Sequence, residues 1–164
     1  MGIDPGMALV GYGVIEIVEN KVLLQTSGSI RTEKDDIVPK RLAEIMADIR
    51  KLVELYSPDV VSIEDLFFFK NQKTIIPVAQ ARGVILAVID SMSVPIYEYT
   101  PMQVKQVLTG YGRATKKDVE EMVRLVVTNK ELPKLDDTVD AIAIAICHAN
   151  CAASALGGYF NQRR

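Results

Sequence analysis

The sequence predicts an α/β protein built on a mixed five-stranded sheet with helices on both faces. Strand and helix patterns follow one another in the order βββαβαβααα, which is typical of such a sheet. The chain has 164 residues, the usual size of one domain, and 49% of them are apolar, enough to fill one sizeable core. It contains no internal repeat and no linker rich in Pro, Gly or Ser. We therefore expect a single domain over residues 1–164.

The N-terminal strands are predicted from β-forming residues and turn signals. Residues 1–3 form a short strand that runs into Asp4-Pro5-Gly6, a tripeptide suited to a turn because Pro fixes φ and Gly accepts positive φ. Residues 10–18 and 22–30 are rich in β-branched side chains and are separated by three residues, which predicts a hairpin.

The middle of the chain predicts a helix followed by a buried strand. Apolar residues recur at helical spacing between Pro39 and Pro58, which indicates an amphipathic helix. Residues 59–63 are a short apolar run of strand length, typical of a parallel strand buried on both faces, and they lead directly into Glu64.

Helices dominate the rest of the prediction. Thr100 and Gln103 have the spacing of a capping box with Pro at the first helical position, and Gly110 is a natural stop. The remaining predicted elements are a helix over 74–92, a strand over 94–99 and helices over 101–109, 115–129 and 136–156.

Composition and charge exclude several classes of protein. Apolar stretches are too short or too interrupted to span a bilayer, and the start lacks a basic segment followed by an apolar run. We therefore expect a cytoplasmic protein that does not enter membranes. Net charge is −2, too low for binding nucleic acid by bulk charge. Residues 1–100 carry 14 acidic and 10 basic side chains, whereas residues 101–164 carry 7 and 9, so any nucleic acid is expected to contact a local patch.

Cys147, His148 and Cys151 lie close together in the last predicted helix. Their side chains leave a regular backbone in directions that do not converge on one metal ion, and cysteines four apart in a helix are poorly placed for a disulfide. We expect two buried thiols and a packed histidine. His148 also lies about 12 Å by helix rise from Asp140, too far to bind the same metal ion.

Four carboxylates mark the predicted chemistry. Asp4 follows the first strand, Glu64 follows the fourth, and Asp137 and Asp140 share one face at the start of the last helix. Such positions converge on the functional crevice of an α/β sheet. Clustered carboxylates require a cation, and hard oxygen ligands suit Mg²⁺ or Mn²⁺, which as a pair serve in-line phosphoryl displacement. The alternative is that each acid is only a turn, cap or strand-end residue.

Several motifs, in this order along the chain, closely resemble the crossover junction endodeoxyribonuclease family, RuvC. The match is collinear from Gly2 to His148 and as a set is highly specific. The motifs are Gly2-Ile3-Asp4-Pro5-Gly6, Gly11-Tyr12-Gly13, Ile63-Glu64 with Phe67, Gln80-Ala81-Arg82-Gly83, Gln103-Val104-Lys105-Gln106 and Asp137-Thr138-Val139-Asp140-Ala141-Ile142-Ala143.

The resemblance implies an RNase H-like fold and a homodimer that resolves four-way (Holliday) junction DNA. It places the family's metal-binding catalytic acids on Asp4, Glu64, Asp137 and Asp140, with two Mg²⁺ ions per site for which Mn²⁺ can substitute. It also implies nicks with 5′-phosphate and 3′-hydroxyl ends, and the branch-migration proteins RuvA and RuvB as partners.

DNA contacts are predicted at six positions. The resemblance assigns roles to Lys105, Lys116 and Phe67, while basic character adds neighbouring side chains that could bind phosphates. Aromatic side chains beside lysines can also stack on unpaired bases. Packing of Phe67 in the core or at a subunit interface, and simple solvation of the basic residues, remain open alternatives. The full set is Phe67, Lys70, Lys105, Arg113, Lys116 and Lys117.

Two other functions remain open at this stage. Asp4 and Gly6 after a strand, followed by a glycine-bearing hairpin, also resemble the phosphate loop of actin-like ATPases and sugar kinases, although one lobe of this length argues against that class. A non-catalytic scaffold that binds junctions is the third hypothesis, and a cleavage assay distinguishes it from a nuclease.

Overall fold

The computed structural model describes residues 1–65, 72–130 and 136–153, together with their side chains except those of residues 72–74, 136 and 137. The predicted element order is confirmed. The elements are β1 (Gly2–Asp4), β2 (Leu9–Val18), β3 (Lys21–Arg31), α1 (Val38–Tyr56), β4 (Val61–Glu64), α2 (Gln72–Ser91), β5 (Ile96–Tyr99), α3 (Pro101–Thr109), α4 (Lys116–Val126) and α5 (Asp136–Ala153).

The five strands form one mixed sheet in the order β3-β2-β1-β4-β5. The pairs β2–β3 and β1–β2 are antiparallel, whereas β1–β4 and β4–β5 are parallel. β1 has only three residues, yet it lies at the centre of the sheet between the hairpin and the parallel half. The parallel strands therefore end at one common edge, which carries the ends of β1, β4 and β5.

Helices cover both faces of the sheet, as predicted, and each face has its own core. One core is lined by buried side chains of α1 and α2, including Ile45, Ile49 and Ile85. The other contains side chains of α3, α4 and α5, including Val104 and Ile142. The sheet separates the two cores, so alternate residues of a strand face different helices.

Local signals in the sequence account for the helix starts and turns. Both predicted caps after β5 are present, because the side chains of Thr100 and Thr115 accept hydrogen bonds from the backbone three residues later in complete capping boxes. The hairpin between β2 and β3 turns at Glu19 and Asn20, which both have positive φ, 50° and 63°. Two successive positive φ values are typical of the tight turns that match strand twist.

One helix ends earlier than predicted. α4 stops at Val126 rather than near Asn129, because the following residues pair with the hairpin instead. Val127 forms a parallel bridge with Val22, and the Asn129 side chain bonds both the N–H and the carbonyl oxygen of Leu24, at 2.9 and 3.1 Å. These contacts join the end of α4 to the edge strand β3. Within the described ranges, no helix is long and apolar enough to cross a membrane.

Candidate active site

Asp4 and Glu64 lie at the ends of adjacent parallel strands and face the same side of the sheet. Ile3 pairs with Ile63 in the register of β1 and β4, so the next residues are Asp4 and Glu64. Ile3 and Ile63 are both fully buried in the core under α1 and α2. Because side chains alternate along a strand, Asp4 and Glu64 project toward the opposite face, which α5 covers.

Two glycines allow α5 to lie directly on the sheet beside these acids. Gly2 and Gly13 are cross-strand partners on β1 and β2. An ideal Cβ on Gly2 would lie 2.1 Å from the carbonyl oxygen of Ala141, and one on Gly13 would lie 2.6 Å from Cγ1 of Ile142. The backbone of α5 therefore approaches the sheet more closely than any side chain there would permit, and Asp140 immediately precedes this contact.

Two buried hydroxyls fix the position of α5 along the sheet. Thr138 Oγ1 donates to the carbonyl oxygen of Gly28 in β3, at 3.3 Å, and the Thr138 residue is fully buried. Ser62 Oγ in β4 donates to the carbonyl oxygen of Ile144, at 3.2 Å. The N-terminal half of α5, which contains Asp137 and Asp140, is thus anchored to β3 and β4 rather than held by apolar packing alone.

Glu64 and Asp140 line one cleft with two of the predicted lysines. The cleft lies between the end of β4 and helices α3, α4 and α5, has a volume of about 180 Å³, and includes Lys105 and Lys116 in its wall. Lys116 Nζ forms an ion pair with Asp140 Oδ2 at 2.8 Å. The structure therefore brings two acids and two bases, far apart in sequence, to one site.

Glu64 is held in an environment that disfavours its negative charge. Burial, followed by the negative charge of Asp140, raises the pKa of Glu64 from its ordinary 4.5 to about 7, while Lys116 and Lys105 oppose the shift. A buried carboxylate beside a second carboxylate is stabilised by positive charge. This is the electrostatic signature expected of residues that bind a cation.

We predict that the raised pKa of Glu64 makes folding less stable as pH rises. Between about pH 4.5 and 7 the folded state keeps a proton that the unfolded state has already lost, so stability falls across that window. At about 1.4 kcal/mol per pKa unit, Glu64→Gln should be more stable than wild type by roughly 3 kcal/mol at pH 8 but not at pH 4.5. Urea unfolding at the two pH values, with EDTA present, measures this. An equal difference at both values would contradict the prediction.

Arg82 belongs to one of the family-like motifs, but the motif predicts no role for it at the site. Its Nε donates to the main-chain oxygen of Glu64 at 3.1 Å, and its guanidinium forms ion pairs with Asp65, at 3.5 Å, and with Glu98 on β5. The side chain is only 14% exposed. Arg82 thus connects α2 with the ends of β4 and β5, and it holds the backbone that presents the Glu64 carboxylate.

The donor chemistry of this edge suits a hard divalent cation. Asp4, Glu64 and Asp140 offer carboxylate oxygens, the ligands that Mg²⁺ and Mn²⁺ prefer. Among the side chains that the structure describes, no three acidic, histidine or cysteine groups are close enough to hold one ion. The Asp137 side chain lies outside that set, although its backbone begins α5 one turn before Asp140.

The other predicted residues divide into three groups. Arg113 and Lys117 are exposed and do not line the cleft; they lie in the loop after α3 and at the start of α4. Phe67 and Lys70 lie outside the described residues, so their predicted roles stay predictions. His148 packs as expected, because its Nδ1 lies 2.9 Å from the Tyr99 hydroxyl and its ring lies against Tyr97.

The cysteine prediction is also confirmed. Cys147 and Cys151 are free and buried, and burial raises the pKa of both thiols. They belong to the core beneath α5 and not to the carboxylate edge.

The strand order and the helix laid across the sheet are those of the RNase H-like class of folds, and carboxylates lie at the ends of two adjoining parallel strands of this sheet. A family model described as "Crossover junction endodeoxyribonuclease RuvC" matches residues 1–148. The chain therefore belongs to the RuvC family of endonucleases, as its motifs predicted. This family is one of metal-dependent nucleases.

Similar proteins agree with this family over nearly the whole chain. The crossover junction endodeoxyribonuclease RuvC of Brevibacillus brevis is 50% identical over 153 residues, covering 93% of this chain and 92% of that protein. The RuvC protein of Petrotoga mobilis is 47% identical over 150 residues, covering 92% of each. A solved structure of Thermus thermophilus RuvC in complex with a Holliday junction substrate is 34% identical, with a TM-score of 0.87, and covers 96% of this chain and 94% of that one.

Arg82 contacts the main chain of Glu64 and not its carboxylate. We therefore predict that Arg82→Ala lowers the cleavage rate without preventing substrate binding. Arg82→Lys keeps the charge but cannot hold the Glu64 carbonyl and two carboxylates together, so it should restore little activity. A loss of about tenfold in the rate at saturating substrate is expected from imperfect positioning. Single-turnover cleavage and a binding titration measure the two effects separately. Arg50→Ala, at an exposed position on α1, is the matched control, and full activity of Arg82→Lys would contradict the prediction.

Proposed function

We propose that this protein resolves four-way (Holliday) DNA junctions in homologous recombination and repair. Each subunit would hydrolyse one phosphodiester bond and leave 5′-phosphate and 3′-hydroxyl ends. The observation that carries the proposal is the cleft that joins Glu64 and Asp140 to Lys105 and Lys116. Support also comes from the similarity to the T. thermophilus structure that contains a Holliday junction.

The proposed site uses Asp4, Glu64, Asp137 and Asp140 to hold two Mg²⁺ ions, for which Mn²⁺ can substitute. Bound divalent ions would supply an activated water and neutralise charge on the leaving oxygen. The half-buried Glu64, with its pKa raised to about 7, supports this role because a cation would favour the ionised carboxylate. The ion pair between Lys116 and Asp140 gives partial compensation for the same negative charge.

The lysines of the cleft are proposed to bind the phosphates beside the scissile bond. Lys116 lies at the first position of α4, where the helix N-terminus also favours anions. Arg113 and Lys117 would contact phosphates of the same junction arm, farther from the scissile bond. Phe67 and Lys70, which follow β4 in sequence, remain proposed contacts to DNA near the crossover.

A homodimer is proposed because two strands must be cut in one junction. Helix α2 supports it: the described part of this helix exposes small and apolar side chains on one face, namely Ile76, Ala79, Gly83 and Ala87. A helix that is apolar on an outward face is typical of an interface. Ala87→Glu should convert a dimer into a monomer in sedimentation experiments, whereas Ala47→Glu, at an exposed position on α1, should not.

Location and partners complete the proposal. The protein would act in the cytoplasm, where its two buried cysteines stay as thiols. RuvA and RuvB would deliver the junction to it.

The deciding experiment compares cleavage of a four-way junction, a duplex of the same sequence and single-stranded DNA, with Mg²⁺ and with EDTA. We expect paired nicks at symmetrical positions in the junction only, and only with Mg²⁺. Ligation of the products without further treatment would verify the 5′-phosphate and 3′-hydroxyl ends. Equal cleavage of duplex and junction would contradict structure selectivity, and cleavage in EDTA would contradict metal dependence.

A further inference from the structure

An exposed tyrosine stands on the loop between α3 and α4, residues 110–114, which we call the Tyr111 loop. Tyr111 is 60% exposed, and Met102 on α3 is 62% exposed. The two belong to one surface, because an ideal Cβ on Gly112 would lie 3.0 Å from Cγ of Met102. Met102 therefore lies beside the loop that carries the exposed ring of Tyr111.

The Tyr111 loop is held in one conformation by side chains of α3. The Gln106 amide donates to the carbonyl oxygen of Gly110 at 2.7 Å and accepts from the N–H of Gly112 at 2.9 Å. The N–H of Tyr111 donates to Thr109 Oγ1 at 3.1 Å. Gly110 has a φ of 78°, a conformation that favours glycine. Tyr111 is thus presented to solvent from a fixed backbone, so little conformational entropy would be lost when it binds a ligand.

The segment that carries the loop is basic in sequence, between Glu98 and Asp118. Residues 99–117 contain four basic side chains and no acidic one, in a chain whose net charge is −2. Two of the four, Lys105 and Lys116, line the cleft with Glu64 and Asp140, and the loop connects the helices that carry them. An exposed aromatic ring among cations is the arrangement by which proteins combine base stacking with phosphate contacts.

We propose that Tyr111 packs, with Met102 beside it, against a base or deoxyribose of the DNA that enters the cleft. Arg113 and Lys117 would hold the adjacent phosphates. The inference rests on the proposed function for its ligand, DNA, and it adds a contact on the loop that joins the two lysine-bearing helices of the cleft. It predicts that Tyr111 contributes to substrate affinity and takes no part in the chemical step.

Because the chain contains no tryptophan, Tyr111→Trp places a single fluorescent reporter at this position. We expect the emission of the introduced indole to be quenched on titration with junction DNA in EDTA, where no cleavage occurs. Tyr56→Trp, at the end of α1, is the matched control and should show little change. Unchanged emission of the Tyr111→Trp variant at saturating DNA would overturn the proposal.

The second measurement is affinity. Tyr111→Ala should weaken junction binding about tenfold, within the range of one lost stacking contact, while leaving the cleavage rate at saturating DNA and the melting temperature near those of wild type. Tyr111→Phe should bind like wild type, since it keeps the ring. Wild-type affinity of Tyr111→Ala would overturn the proposal.

The two proposals can fail separately. If wild type cuts junctions and the emission of the Tyr111→Trp variant is not quenched, the Tyr111 contact is wrong and the nuclease proposal stands. If wild type fails to cut any junction but DNA still quenches the emission of that variant, the contact stands and the proposed reaction is wrong.

Discussion

Asp140→Asn and Glu64→Gln are each expected to reduce junction cleavage by about a thousandfold or more, on the scale of losing an essential group of a catalytic site, while junction binding stays within a few fold of wild type. The amides preserve the shape of the side chains, so the fold and the basic surface remain. They remove negative charge, which is what a divalent cation requires from its ligands. Asp4→Asn and Asp137→Asn are expected to behave in the same way.

The matched control is Glu121→Gln, which makes the same chemical change on α4 at a side chain that is 62% exposed and only loosely paired with Lys117. It should cleave like wild type. Single-turnover rates in Mg²⁺ and electrophoretic binding titrations in EDTA separate chemistry from affinity. If any two of the four acid variants cleave within tenfold of wild type, the assignment of the metal site is wrong.

The fold was largely predictable because its signals are local. Capping boxes at Thr100 and Thr115, prolines and glycines at helix ends, and the periodicity of α1 all act within a few residues of the element that they define. The end of α4 was misplaced because its determinant is distant. Asn129 bonds Leu24, 105 residues away, and no pattern near Asn129 reveals that partner.

In the candidate site, too, the features with local sequence signals were predictable and those that depend on distant contacts were not. The positions of Asp4 and Glu64 follow from strand ends, and adjacent parallel strands bring such ends together. Resemblance to a family, and not residue patterning, gave Lys105 and Lys116 their roles. Arg82 was recognised as part of a motif, but its hold on Glu64 depends on how α2 docks beside β4 and β5, which the sequence does not specify locally.

Gly2→Ala should be among the most damaging substitutions outside the site itself. The new Cβ would meet the carbonyl oxygen of Ala141 at 2.1 Å and the backbone nitrogen of Ala145 at 2.6 Å. Both obstacles belong to the backbone of α5, so they can yield only if the helix moves away from the sheet. Overpacking of this kind costs roughly 3 kcal/mol, equivalent to several degrees in melting temperature for a domain of this size.

Movement of α5 would also separate Asp140 from the strand-end acids, so Gly2→Ala should lose cleavage by about a hundredfold even where it is fully folded, as expected for a displacement near 1 Å. Gly13→Ala is the comparison variant, for which we expect a milder effect. Its Cβ would meet a side-chain atom, Cγ1 of Ile142, at 2.6 Å, and the backbone of α5 only at 3.1 Å, from Cα and N of Ile142. The helix would therefore need to move less than in Gly2→Ala, so both losses should be smaller. Melting temperatures measure the loss of stability. Single-turnover cleavage, at a temperature well below the melting temperature of each variant, measures the loss of activity. If Gly2→Ala proves as stable and active as wild type, the close contact between α5 and β1 is not what positions the site.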